Sequence, residues 1–133
     1  MTVGVLVITH DEVGRALVHA ATSMLGMCPL NLEIIAVHRN DDPDRLKTLA
    51  RRHIMELDDG DGVLILTDMY GATPSNIASS LLSAPNVRAI AGLNLPMLVR
   101  ILNYPRLKLD ELVRKAVEGG REGALTWRTP GDA

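Results

Sequence analysis

Residues 3–8, Val-Gly-Val-Leu-Val-Ile, are apolar without alternation, so a strand here has no polar side to give to solvent. Such a strand belongs inside a sheet covered on both faces, which is the situation of a parallel sheet in an α/β protein. The pattern then recurs: Leu32 to Val37 and Val63-Leu64-Ile65-Leu66 are further apolar runs, and Val87 to Ala91 is a fourth. Segments with helical spacing lie between them. The first carries Val13, Ala16, Leu17, Ala20, Ala21, Met24 and Leu25 on one stripe, with Gly26 to end it. The second opens at Asp42-Pro43, a capping residue followed by a proline at the first helical position, and buries Leu46, Leu49, Ala50, His53 and Leu57. Thr73-Pro74 repeats that opening for a third helix through Ile77, Ala78, Leu81 and Leu82.

A short helix is expected from Asn94-Leu95-Pro96, and a last one capped by Asp110, with Leu112, Val113, Ala116 and Val117 inward and Gly119-Gly120 as its stop. Ala124 to Arg128 is expected to form a terminal strand, at a sheet edge or exchanged across a subunit boundary. Strand–helix alternation of this kind predicts an open, mainly parallel α/β sheet with helices on both faces, and residues 1–133 as one domain.

Composition narrows the function classes. Hydrophobic residues make up 47% of the chain, enough for a core without a disulfide or a structural metal, and Cys28 is the only cysteine. Lys and Arg total 14 against 16 Asp and Glu, a balance that argues against a nucleic-acid or polybasic membrane surface. No apolar run approaches the roughly 20 residues that span a bilayer, and the N-terminus lacks a basic leader, so a cytoplasmic protein is the expectation.

In open α/β sheets, ligands bind beyond the carboxyl ends of the strands, where the strand order reverses. Thr9, His10 and Asp11 follow the first strand; Thr67 and Asp68 follow the third, ahead of Gly71-Ala72-Thr73. If those strands are neighbours, His10 and Asp68 emerge side by side. A neutral imidazole is a nucleophile at physiological pH, and a carboxylate on its other nitrogen fixes the tautomer and supports developing positive charge. Backbone N–H groups in Gly71-Ala72-Thr73 are suited to hold phosphoryl oxygens, because small residues let an anion approach the backbone. Each feature taken alone has a plainer reading, as a loop histidine, a capping aspartate or a helix start; their conjunction on one edge is what points to phosphoryl chemistry. His38 shares that edge as a minor competitor, whereas His19 and His53 fall within helices. No histidine pair has metal-ligand spacing, so no metal is expected.

At these residues the chain resembles the enzyme IIA component of the mannose family of the bacterial phosphoenolpyruvate-dependent phosphotransferase system. The shared blocks are Val7-Ile8-Thr9-His10 with Gly14 and Leu17, Leu64-Ile65-Leu66-Thr67-Asp68 with Gly71-Ala72-Thr73-Pro74-Ser75-Asn76, Ala91-Gly92-Leu93-Asn94-Leu95-Pro96-Met97-Leu98, and Gly120-Arg121-Glu122-Gly123. The resemblance implies that His10 accepts phosphate from the phosphocarrier protein HPr and that Asp68 orients it. It implies a phosphate site made by Thr9, Gly71, Ala72 and Thr73, and a transfer that needs no cofactor. It implies further a homodimer with exchanged terminal strands, and a IIB protein or a regulator as recipient. Asp11 stands where many relatives carry glycine and is read as a helix cap, and Met69-Tyr70 departs from the stretch found in some members. The stop at Ala133 is read as a form standing alone, without a IIB domain.

Two other readings are weighed. One is an interaction module that keeps the fold without the chemistry, for which Asp11 beside His10 is the motive. The other is an aspartate-phosphorylated receiver, which needs an acidic pair after the first strand; Thr9-His10 stand there instead.

Overall fold

The computed structural model describes residues 2–131. Met1 and the stop at Ala133, with the standing-alone expectation read from it, lie outside the described residues. Chain order is β1 (Gly4–His10), α1 (Val13–Leu25), β2 (Leu32–Val37), α2 (Pro43–Leu57), β3 (Val63–Thr67), α3 (Thr73–Ser79), β4 (Val87–Ala91), α4 (Leu95–Leu102) and α5 (Leu109–Glu122). The strands form one sheet in the order β2-β1-β3-β4, every pairing parallel. β1 and β3 lie inside and are buried almost throughout, as their unbroken apolar runs require. β2 and β4 are the edges, and they expose Glu33 and Arg88.

Successive side chains alternate between two cores. Val5, Val7, Leu64 and Leu66 pack with Ala21 of α1, Leu98 and Ile101 of α4, and Leu112 and Ala116 of α5. Leu6, Ile8 and Ile65 pack on the opposite face with Leu46 and Ala50 of α2 and Ile77 of α3. Each buried Val, Leu or Ile among them contributes about 1.5–3 kcal/mol.

Several local expectations change. The inward stripe of α1 runs through Gly14, Leu17, Val18, Ala21 and Leu25, while Val13 and Met24 are exposed. Gly14 is the reason: a Cβ there would sit 2.7 Å from Val7 Cγ1, so the helix turns its glycine toward β1 to approach closely. Asp11 does not cap α1. The N-cap is Glu12 without a side-chain bond, and the Thr9 hydroxyl accepts the Gly14 N–H at 2.7 Å instead.

At α3 the cap position is Ala72, with Thr73 already helical, and the α-helix ends at Ser79, ahead of Leu81 and Leu82. At α5 the cap is Lys108; Asp110 lies in the first turn, where its carboxylate reaches Arg88 at 3.2 Å. Gly119-Gly120 do not stop α5. Both are buried inside it, because a Cβ at Gly119 would lie 2.7 Å from Arg100 Cβ and one at Gly120 2.7 Å from Met97 Cε. Asp42 and Asn94 cap as expected, Asp42 accepting from Asp44 N and Asn94 from Met97 N. The stretch 124–128 forms no strand within this chain, and its Leu125 and Trp127 are exposed. A lone strand has no ladder partner to satisfy its backbone, so pairing there needs an edge that this segment does not reach in the single chain.

Candidate functional site

β1 feeds α1 and β2 on one side, while β3 feeds α3 and β4 on the other, so the strand order diverges between β1 and β3. At the carboxyl ends of these strands Ile8 pairs with Thr67, which sets the residues that follow, His10 and Asp68, at one place. His10 Nδ1 lies 2.9 Å from Asp68 Oδ2, and the same oxygen accepts the backbone N–H of His10 at 3.1 Å. A carboxylate oxygen only accepts, so the proton of the neutral ring is on Nδ1. Nε2 then carries the lone pair, directed away from the carboxylate.

The His10 side chain is 44% exposed and that of Asp68 15%. A partly sheltered carboxylate thus supports an imidazole that a large partner can reach. Asp68 Oδ1 is buried with no hydrogen-bond partner among the described residues.

His10 also lines a cleft of about 360 Å³ with Asp11, His38, Arg39, Asp41 and Thr73 among its walls. Of the loop expected to hold phosphate, Thr73 reaches this cleft; Gly71 and Ala72 precede it outside the lining. Gly71 has φ +85 and open space where a side chain would begin, the conformation glycine adopts at no steric cost. Thr9 is fully buried and its hydroxyl holds the Gly14 N–H, so its side chain faces the start of α1 and not the cleft.

One pairing was missed from sequence. His38, just past β2, places Nδ1 3.1 Å from Asp11 Oδ1. The signal was a histidine on the same edge; what was lacking was the neighbourhood of β1 and β2, in which His10 registers with Val37.

The family model EIIA-man, described as the fructose IIA component of the PTS system, matches residues 4–117. This chain belongs to the EIIA-man family. It is similar to the PTS system mannose-specific EIIAB component of Escherichia coli K12, at 34% identity over 126 residues covering 92% of this chain. The chain spans 39% of the length of that relative. Among solved structures it is similar in fold to the mannose/sorbose-specific IIA subunit from Enterococcus faecalis, with a TM-score of 0.85, 22% identity and full coverage of both chains. It is likewise similar to phosphotransferase component EIIA from Streptococcus agalactiae, with a TM-score of 0.82, 21% identity, and 93% of this chain and 96% of that one covered. The description of that family is of a IIA component of the PTS system. Among the described residues no helix is long and apolar enough to cross a membrane.

Proposed function

We propose that this chain carries a phosphoryl group on His10 Nε2, as a single cytoplasmic domain. The group comes from HPr and goes to a IIB protein, or its presence is read by a regulator of carbohydrate uptake. The observation that carries the reading is the 2.9 Å bond from His10 Nδ1 to Asp68, which directs the free lone pair outward. That lone pair attacks phosphorus. The bond from phosphorus to the donor side chain breaks, and its electron pair stays on the donor. No proton has to leave His10, because Nδ1–H stays on the ring, and Asp68 offsets the positive charge that the imidazole gains. Onward transfer is the same displacement in reverse, with the recipient as nucleophile.

Backbone N–H groups of Gly71, Ala72 and Thr73 are the proposed donors to the phosphoryl oxygens, and Thr9 contributes by positioning the start of α1. Met69 and Tyr70, 64% and 86% exposed directly after Asp68, give a protein partner apolar surface to cover. A homodimer that pairs the 124–128 segments across subunits belongs to the same proposal.

The test is incubation with phosphoenolpyruvate, enzyme I and HPr. The expected product is an acid-labile, base-stable phosphoprotein, and His10→Ala abolishes it. Label retained in that variant places the acceptor elsewhere. A wild-type chain that takes no label, yet binds a regulator, supports the second reading of an interaction module, which the carboxylate of Asp11 beside His10 favours.

A further inference from the structure

The residue after the acceptor histidine is an aspartate in a backbone conformation that favours glycine: Asp11 has φ +42, the only positive value among the described non-glycine residues. Its N–H donates to Val37 O at 2.9 Å, which fixes the backbone against β2. Asp11 and His10 line the same cleft. A phosphoryl dianion arriving at His10 therefore approaches a carboxylate one residue away, and like charges at such range oppose its approach.

The carboxylate is not loose. Asp11 Oδ1 takes the Nδ1 side of His38 at 3.1 Å, and the His38 backbone is itself held, its main-chain N–H donating to Asp41 Oδ2 at 2.8 Å. Arg45 in turn lies 3.8 Å from Asp41. Asp11 is thus tied to the His38 ring, and Asp41 fixes the main chain of His38 just past β2.

We infer that His38 is a positioning residue for phosphoryl transfer, holding the carboxylate of Asp11 so that it does not repel the phosphoryl group bound for His10. A neutral imidazole does this by donating Nδ1–H; a protonated one also cancels the charge. The inference rests on the proposed phosphorylation of His10.

Rates of labelling by phosphorylated HPr are measured for wild type, His38→Ala, Asp11→Asn and the double variant. Side-chain exposures of 53% for His38 and 74% for Asp11 make all three variants compatible with the fold. His38→Ala is expected to slow labelling by roughly tenfold, and the loss shrinks as added salt screens the released charge. The double variant is expected within about twofold of Asp11→Asn, because without the carboxylate there is nothing to restrain. A His38→Ala chain as fast as wild type overturns the inference and leaves the function standing. So does a loss that persists in the Asp11→Asn background, since His38 then acts without Asp11. A wild-type chain that takes no label removes the function itself, and the inference with it.

Discussion

Asp68 serves His10 twice with one oxygen, accepting both the ring and the backbone N–H. The backbone bond fixes where the residue sits, and the ring bond leaves the lone pair of the neutral imidazole on Nε2. Asp68→Asn keeps the size and loses the charge that favours the cationic ring. Transfer to His10 is expected to fall by about 10²–10⁴-fold with the circular dichroism spectrum unchanged; a loss under threefold in single-turnover labelling contradicts the role. Gly14 is a second sensitive residue, for packing instead of chemistry. Gly14→Ala puts a methyl 2.7 Å from Val7 Cγ1 and 2.8 Å from Thr9 Oγ1, and is expected to cost about 1–3 kcal/mol by urea unfolding. On a helix surface the same change would stabilise.

At the scale of elements, α4 and α5 owe their close approach to missing side chains. Gly119→Ala gains helix propensity of about 1 kcal/mol but drives a methyl against Arg100 Cβ at 2.7 Å and toward Pro96 O at 3.3 Å. The net expectation is a lower urea midpoint; a higher one shows that the helices can separate at little cost. Asn94 ties the same pair together, capping α4 through Met97 N and donating to Gly120 O at 3.0 Å. Strands were legible from the sequence because runs such as Val5–Ile8 leave no solvent face, and the Asp42 and Asn94 caps because their chemistry is local. Gly119-Gly120 read as a helix stop because glycine is a poor helix former, and only the nearness of α4 reverses that meaning. The stripe of α1 slipped for a similar reason, since Gly14 counts as neutral in a hydrophobic pattern yet lies against Val7 and Thr9 of β1 with no room for a Cβ.

On the scale of the whole molecule, the decisive fact is the order β2-β1-β3-β4, which no local pattern encodes. It brings Asp68 to His10 across 58 positions of sequence and His38 to Asp11 across 27. The first meeting was anticipated on the condition that β1 and β3 are neighbours, and by family resemblance; the second was not, because neither side chain belongs to a shared block. The 124–128 segment, with Trp127 90% exposed, is the part that the proposed dimer would cover. Sedimentation equilibrium is expected to give a dimer, and removal of residues 124–133 a monomer; a full-length monomer rules out strand exchange. The most direct measurement is of the phosphoryl linkage. After phosphorylation by enzyme I and HPr, phosphorus–nitrogen correlation NMR on the ¹⁵N-labelled chain is expected to find one phosphohistidine, His10, bonded through Nε2. A bond through Nδ1, or phosphate on any other residue, contradicts a site in which Asp68 holds the opposite nitrogen.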